Sequence, residues 1–402
     1  MEWKEVRLGD IADVQTGPFG SQLHKENYVN KGTPIVTVEH LGNKWFTSQN
    51  LPMVSDEDKL RLAKYCSQEG DVIFSRVGSV DRCSYVSKEY SGWLFSGRCL
   101  RVRPRSGINP EYLYYFLTNE GTKQYIRNIA VGATMPSINT KLLNEVPITI
   151  PSLEDQRRIA SILSSLDRKI ELNNKINADL EEMAQAIFKN WFVDFEPFKD
   201  GKFVDSELGM IPEGWKVGTL GDITKNKSAK VKERNDVKVL SPVTTGELVL
   251  SEEYFTKQVF SSSIAKYKIV NKGDFAYNPA RVNIGSLGRN EFDFDGCVSP
   301  VYVVFSVLDG YENYFDLFRK TDFFKDSVAS LAIGGVRQSL SYDDLSSIEV
   351  IIPSENAVEE FNNLYNQMKK TIKANKLENS RLSLLRDTLL PRLMSGELEV
   401  PE

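Results

Sequence analysis

The most regular feature of the chain is a pair of segments in which apolar positions recur in alternating steps of four and three residues. The first pattern runs through Leu166, Ile170, Asn173, Asn177, Leu180, Ala184 and Ile187. The second runs through Met368, Ile372, Asn375, Asn379, Leu382, Arg386 and Leu389, each 202 residues after its counterpart. These steps are typical of the buried positions of a coiled coil. They predict two helices of roughly 30–35 residues each.

Both patterns are interrupted by two asparagines at matched positions. A buried asparagine in such a seam lowers stability but fixes the register and the choice of partner. We therefore predict that the two helices pack on each other, the alternative being that each folds back on its own domain. The predicted pairing residues are Leu166, Ile170, Asn173, Asn177, Leu180 and Ile187 in the first helix, with Ile372, Asn375, Asn379, Leu382 and Leu389 in the second.

An internal repeat underlies this pairing. WKEVRLGDI at residues 3–11 returns as WKVGTLGDI at 215–223, and GDVIF at 70–74 returns as GDFAY at 273–277. AVG at 130–132 and IPS at 150–152 return as AIG at 332–334 and IPS at 352–354. The order is the same and the offset drifts only from 212 to 202, so the chain contains two copies of one unit.

Each copy begins with a stretch rich in glycine, aromatic and β-branched residues, which predicts a mixed domain dominated by short strands. The long helix follows after the repeated IPS. The sequence thus predicts an α+β fold with two domains in a pseudo-twofold arrangement, joined by two long antiparallel coiled-coil helices. We place the first domain at residues 1–152, the first helix and a linker at 153–198, the second domain at 199–353 and the second helix at 354–402.

Composition narrows the functional classes. The chain has 50 basic and 55 acidic side chains, so bulk charge alone does not predict a nucleic-acid partner. No apolar run approaches the roughly 18 residues of a membrane span. The four cysteines are scattered and indicate neither a disulfide framework nor a metal site. We therefore expect a cytoplasmic protein with reduced thiols and no membrane association.

The sequence lacks the usual catalytic motifs. It contains no glycine-rich nucleotide loop and no Gly-x-Ser-x-Gly segment. The stretch YNPAR at residues 277–281 lacks the second proline and the aromatic residue expected of a segment that grips the target amine of a methyltransferase. We therefore predict that the chain itself is not an enzyme.

Three segments, spread from the beginning to the end of the chain, resemble those of a known family, and together with the repeat they extend the resemblance to essentially the whole chain. They are PSLEDQRRI at residues 151–159, LPRLMSGE at 390–397 and the early loop TGPFGSQL at 16–23. Together with the duplicated layout, they resemble the specificity subunit of type I restriction–modification systems. The second helix departs from the pattern, because it starts with PSENAVEEF at 353–361. The two helix faces that dock partners are therefore expected to be unequal.

The resemblance implies a non-catalytic subunit whose two target-recognition domains each read one half of a bipartite double-stranded DNA sequence, with the helices as a spacer. It implies two modification subunits that bring S-adenosylmethionine and methylate adenine N6, and restriction/translocase subunits that use ATP and Mg²⁺. This chain itself would hold no cofactor and no metal. The alternatives are a stand-alone DNA methyltransferase or nuclease, and a coiled-coil scaffold unrelated to DNA.

Reading bases requires donors and acceptors on loops, such as arginine for guanine and asparagine or glutamine for adenine. Candidates in the first domain are Gly20, Ser21, Lys25, Arg76, Arg82, Arg98 and Thr134. Candidates in the second domain are Asn278, Arg281, Asn283, Arg289, Arg337 and Gln338. Arg101, Arg103 and Arg105 alternate along one predicted strand, which indicates a solvated strand face or, alternatively, phosphate contacts.

Overall fold

A computed structural model describes residues 3–18, 20, 22–255, 257, 260–261, 263–331 and 339–400. The chain forms two compact units. One comprises Met1–Lys175 with Asn375–Glu402, and the other comprises Ile176–Ala374. Each unit therefore contains one mixed α+β domain and a part of both long helices.

The first domain is built from short strands in three sheets. Its strands are β1 (Lys4–Arg7), β2 (Ala12–Thr16), β3 (Tyr28–Val29), β4 (Thr33–Val36), β5 (Met53–Val54), β6 (Val72–Ser75), β7 (Cys83–Tyr85), β8 (Leu94–Phe95), β9 (Cys99–Pro104) and β10 (Pro147–Ile150). Its helices are α1 (Leu8–Ile11), α2 (Asp56–Arg61), α3 (Pro110–Thr118), α4 (Glu120–Ile129) and α5 (Thr140–Asn144). The sheet orders are β1-β10, β2-β9-β6-β7 and β3-β5-β4-β8. The first long helix, α6 (Leu153–Phe192), follows.

The second domain repeats this plan after a small additional hairpin. Its strands are β11 (Phe203–Val204), β12 (Ile211–Pro212), β13 (Lys216–Thr219), β14 (Thr224–Lys227), β15 (Lys238–Pro242), β16 (Leu248–Leu250), β17 (Lys268–Val270), β18 (Phe275–Tyr277), β19 (Leu287–Arg289), β20 (Gly296–Val298), β21 (Val303–Val307) and β22 (Glu349–Ile352). Its helices are α7 (Leu220–Ile223), α8 (Ser251–Tyr254), α9 (Glu312–Phe318), α10 (Asp322–Leu331) and α11 (Tyr342–Ser346). The second long helix is α12 (Glu355–Met394).

The two domains share the strand order of their central sheets and of their two-stranded sheets, whereas their third sheets differ at one edge strand. The order β2-β9-β6-β7 is matched by β14-β21-β18-β19, and β1-β10 is matched by β13-β22. Val72 pairs with Val102, and Phe275 pairs with Phe305, so both partners are displaced by 203 positions. Both domains also contain one parallel pair, β4 with β8 and β15 with β20. Residues of β6 and β9 therefore have structural counterparts 203 positions later, in β18 and β21, whereas Ala12 of β2 corresponds to Thr224 of β14, 212 positions later.

The repeated sequence motifs explain the shared local structure. In the LGDI helices α1 and α7, the carboxylates of Asp10 and Asp222 accept hydrogen bonds from the backbone N–H three residues earlier, at 3.0 and 2.7 Å. Such bonds satisfy a free amide at the helix start. The leucine and isoleucine of each motif are buried in the domain core. Each LGDI segment is therefore both a capped turn and a packing element.

The long helices pair antiparallel within the first unit. The Nδ2 of Asn173 donates to the Oδ1 of Asn379 at 2.9 Å, and Arg386 contacts Asp167 at 2.8 Å. The partner numbers fall along α12 as they rise along α6, which fixes the direction. Each helix is 40 residues long, so both extend beyond the length predicted from the heptad pattern. The extra turns lie in segments where the helices pack on their domains, as Leu163 and Leu393 do in the first core.

A buried polar network attaches the first domain to this helix pair. The Tyr115 hydroxyl donates to Asp167 at 2.5 Å and accepts from the Lys44 ammonium at 2.8 Å. Burial and the neighbouring Asp167 raise the pKa of Tyr115, so the hydroxyl keeps its proton. Asp167 is only 6% exposed, and Arg386 supplies its main charge partner. The network joins both long helices to the α3 face of the domain.

We predict that Arg386→Ala destabilises the first unit by about 2–3 kcal/mol, because it leaves a buried carboxylate without its guanidinium. The partial exposure of Arg386 keeps the loss at the lower end of the usual range. The measurement is the first transition in urea unfolding. Arg381→Ala, an exposed change on the same helix, is the matched control and is expected to shift it by under about 0.5 kcal/mol. Equal effects of the two substitutions would contradict the role given to Asp167.

Candidate nucleic-acid interface

Three loops of the first domain meet at one end of its central sheet. They are the β6–β7 loop at residues 76–82, the β8–β9 turn at 96–98 and the loop at 131–137. The backbone N–H of Arg76 donates to the carbonyl of Arg98 at 2.8 Å, and that of Gly78 donates to the carbonyl of Pro136 at 2.8 Å. These backbone bonds hold the three loops together. The fold therefore places Arg76, Arg98 and Thr134 on a common surface.

A fourth loop, which carries Gly20, begins at the same place. Gly17 donates its N–H to the carbonyl of Cys99 at 3.2 Å. A Cβ at this position would lie 2.1 Å from the Ser96 carbonyl oxygen, so only glycine permits this approach. Gly20 itself is exposed, and a Cβ there would meet open space. The fold therefore requires glycine at position 17, where the loop packs against the Ser96 carbonyl, but not at the exposed position 20.

The arginines of this cluster differ in their availability. Arg98 is exposed, and its guanidinium has no hydrogen-bond or ion-pair partner within the described ranges. Arg76 is half-buried, and its Nη1 donates to the Gly97 carbonyl at 3.3 Å. Arg82 donates to the Leu41 carbonyl and lies against Gly42. Arg98 therefore has the guanidinium that is most available to an external ligand.

The loop at 131–137 presents exposed side chains on a fixed frame. Val131 and Ser137 exchange backbone hydrogen bonds of 2.9 and 2.8 Å that close the loop. Gly132 adopts a φ of +105°, which favours glycine. Thr134 and Met135 are both exposed at its tip. Sequence reasoning identified Thr134 but missed Met135, because its apolar side chain gave no polar signal.

In the second domain, the β18–β19 loop and the 299–302 turn line a cleft of about 380 Å³. Asn278, Arg281 and Tyr302 are among its lining residues. The Oδ1 of Asn278 accepts from the Ala280 N–H at 3.1 Å, so this residue also shapes the loop. Arg281 and Asn283 are exposed. Burial raises the pKa of Tyr302, although Arg281 opposes it, so the phenol is a neutral donor.

Arg289 lies elsewhere and interacts with the interior of the domain. Its Nη1 donates to the Oδ1 of Asn313 at 2.9 Å, and its guanidinium lies 5.8 Å from the ring centre of Phe275. Asn313 in turn donates to Asn362 and Asn366 of α12. The structure thus places Arg289 apart from Arg281 and Asn283, and a DNA contact for it stays a prediction.

Some predicted residues fall outside this geometry. Ser21, Arg337 and Gln338 lie outside the described residues, as does the side chain of Lys25. The predicted solvated arginine face is wrong for Arg101, which is buried, and for Arg103, which is half-buried, whereas Arg105 is exposed. Arg101 is only 8% exposed, Arg103 makes two 2.7 Å bonds to Asp71, and Arg105 pairs with Asp13 at 2.7 Å. Asp71 is buried, so its pairing with Arg103 stabilises the domain, whereas Arg105 and Asp13 form an exposed pair of little energetic consequence.

A buried ion pair holds the second-domain loop from below. Arg319 donates to the Leu287 carbonyl, at the start of β19, at 2.8 Å and pairs with Asp316 at 2.7 Å. Burial alone would raise the pKa of Asp316, but Arg319, with Lys320 and Lys369 nearby, lowers it to about 2. Asp316 therefore stays ionised and keeps Arg319 directed at the hairpin.

The fold places exposed loops with guanidinium groups at corresponding ends of the two duplicated domains. No helix in the part of the chain that the structure describes has the length and apolar character needed to cross a membrane. Within those same residues, no group of three or more histidine, cysteine, aspartate or glutamate side chains is placed to hold a metal ion.

Comparison with known proteins finds relatives of one kind. The model of the type I restriction modification DNA specificity domain matches residues 1–182. The MjaIX specificity subunit of Methanocaldococcus jannaschii is 27% identical over 100% of this chain and 94% of its own length. The HindI specificity subunit of Haemophilus influenzae is 26% identical over 99% of this chain and 100% of its own.

A solved structure has the same fold. The crystal structure of the type I restriction–modification S subunit from M. genitalium aligns with a TM-score of 0.60 and 16% identity, over 100% of this chain and 96% of that one. Over nearly its whole length the chain is similar to specificity subunits of type I restriction–modification systems. The resemblance predicted from the sequence and the α+β fold of two domains with long antiparallel helices are confirmed.

We predict that Asp316→Asn lowers the free energy of unfolding of the second unit by about 2 kcal/mol at pH 7. This figure is the free energy that corresponds to lowering the pKa of Asp316 from 3.8 to about 2. The stabilisation by the ionised carboxylate is full above pH ~4 and is lost as the pH falls towards 2. The wild type and the variant should therefore converge on acidification in urea unfolding. The exposed Asp326→Asn change is the control, and a pH-independent difference for Asp316→Asn would contradict this account.

Proposed function

We propose that this chain is the DNA-recognition subunit of a type I restriction–modification complex. It binds a bipartite double-stranded target and holds the modification and restriction subunits on it. As a specificity subunit it is non-catalytic. The observation that carries the proposal is the pair of loop clusters at corresponding ends of two domains whose central strand pairs share one register, in a chain similar to specificity subunits over its whole length.

Each domain reads one half of the target. In the first domain, Arg98 and Arg76 contact bases or phosphates, with Gly20, Arg82 and Thr134 as further candidates. Ser21 and Lys25 are candidates from the sequence alone. In the second, Arg281 and Asn283 take this part, with Asn278 shaping the loop and Arg289, Arg337 and Gln338 as further candidates. Exposed guanidinium and amide groups fit this role, since they recognise guanine and adenine in the major groove and also bind phosphates.

The helix pair sets the gap between the half-sites and carries the partner subunits. The pairing residues proposed from the sequence are half-buried or buried, as Asn173 and Leu180 illustrate. The globular domains comprise residues 1–152 and 199–353, and the helical segments 153–198 and 354–402. Because the family requires rigid spacing of two DNA contacts, a packed helix pair fits better than a flexible linker.

The chemistry belongs to the partners. The modification subunits supply S-adenosylmethionine for adenine-N6 methylation, and the restriction subunits supply ATP and Mg²⁺ for translocation and cleavage. The complex works in the cytoplasm, where its DNA is. A stand-alone methyltransferase or nuclease and a scaffold unrelated to DNA are not favoured, because relatives that align over nearly the whole chain are specificity subunits.

We predict that deleting the gene removes N6-methyladenine from one split motif with a fixed gap, while other adenine marks persist. Mapping methylated adenines in the genome with and without the gene measures this. Re-expression of the gene restores the motif in the matched control. A genome without any adenine mark that depends on the gene would argue against the proposal, provided that the modification subunits are present.

We predict that inserting one heptad at paired positions of α6 and α12 lengthens the gap and leaves the half-sites unchanged. Seven residues preserve the seam and add about 10 Å, or roughly three base pairs. The readout is the methylated motif of the variant. A heptad inserted into α6 alone is the control and should abolish methylation, because it breaks the pairing. An unchanged gap in the double insertion would refute the spacer role.

A further inference from the structure

One exposed position of the shared fold carries a charged side chain in the first domain and an aliphatic side chain in the second. Residues 96–99 and 299–302 form the same turn, since Cys99 donates its N–H to the Ser96 carbonyl at 2.9 Å and Tyr302 donates to the Ser299 carbonyl at 3.0 Å. The third residue of the turn is Arg98 in the first domain and Val301 in the second. The 203-residue register of the central sheets makes these two positions structural counterparts.

Both side chains point away from their own domain. Arg98 is exposed and its guanidinium has no partner among the described residues, and Val301 is 71% exposed. A single exposed valine is ordinary. Here, however, Ile284 in the β18–β19 loop is also 56% exposed, and this loop and the 299–302 turn both contribute residues to one cleft. The second domain therefore exposes aliphatic side chains in the two segments that border this cleft, whereas the first domain exposes Arg98 in the corresponding turn.

The chemistry of the DNA major groove distinguishes these two side chains. An arginine donates two hydrogen bonds to O6 and N7 of guanine. The 5-methyl group of thymine is the apolar feature of that groove, and aliphatic side chains contact it. We infer that Arg98 and Val301 are corresponding specificity-determining residues, Arg98 for a guanine in one half-site and Val301 for a thymine in the other. This inference rests on the proposed function.

The first test exchanges the two residues in cells that contain the modification subunits and lack the restriction subunit, so that altered specificity does not harm the cell. Arg98→Val relaxes one guanine position of one half-site, lowering its discrimination roughly tenfold to a hundredfold. Val301→Arg changes one thymine position of the other half-site towards guanine. In each variant the unaltered half-site is an internal control.

Matched controls lie at the other end of the same strands. Arg105 and Leu308 are also 203 positions apart, and their N–H groups donate to the equivalent carbonyls of Ile11 and Ile223 at 2.8 and 2.7 Å. Arg105→Val and Leu308→Arg should leave both half-sites unchanged. Methylated motifs that are unchanged in Arg98→Val and Val301→Arg, or that change equally in the controls, would overturn the inference.

A binding measurement decides the outcome if Val301→Arg abolishes methylation. The purified complex with modification subunits is titrated with the target duplex carrying uracil in place of each thymine of the second half-site. One replacement should weaken wild-type binding about fourfold, the value of one buried methyl group, and leave Val301→Ala unaffected. Equal sensitivity of both proteins at every thymine would overturn the assignment.

These measurements distinguish a failure of the proposed function from a failure of the assignment of Arg98 and Val301. If no split motif depends on the wild-type gene, the proposed function fails and these residues have no half-site to specify. If the split motif exists and both exchange variants preserve it, the proposed function stands and the assignment of Arg98 and Val301 falls.

Discussion

The structure depends on the return of the C-terminal helix to the N-terminal domain. The first compact unit is assembled from both ends of the chain, residues 1–175 and 375–402. Within it, Asn173 bonds to Asn379 and Asp167 bonds to Arg386 in a largely buried environment. Polar groups that are satisfied only in one register penalise every other register, because a shift would leave them buried and unpaired. Apolar packing supplies most of the attraction, and these contacts select the alignment.

Specific polar contacts also fix the recognition loops within each domain. Loops that carry recognition groups are anchored at their bases by backbone bonds and by buried charge pairs beneath them. Gly17 touches the Ser96 carbonyl, and Arg319 connects the β18–β19 hairpin to Asp316. Recognition residues on such loops lose little conformational freedom when they meet a ligand, which is how a fixed scaffold gains specificity.

The repeats and the heptad steps were sufficient to predict the fold, because both are local patterns along the chain. The partners of individual arginines were not predictable. Arg103 finds Asp71 and Arg105 finds Asp13 only once β9 lies between β2 and β6. Arg289 was grouped with Arg281 by sequence distance, but the hairpin places it at the base of the loop near Phe275. Val301 was missed because an aliphatic residue gives no polar signal, although aligning the two copies at the 203-residue offset brings it opposite Arg98.

The junctions between each domain and the long helices have diverged. The counterpart of Asp167 at the 202-residue offset is Lys369, which pairs with Glu291, and the counterpart of Arg386 is Ala184. A gene in which recombination replaced the second copy with the first would set a buried Asp167 against an alanine, with no guanidinium to balance it. Exchange of recognition domains by gene shuffling must therefore carry the matching helix residues with each domain. The unit that recombination can exchange without loss of stability is therefore a recognition domain together with its matching helix residues, which is larger than the part that contacts DNA.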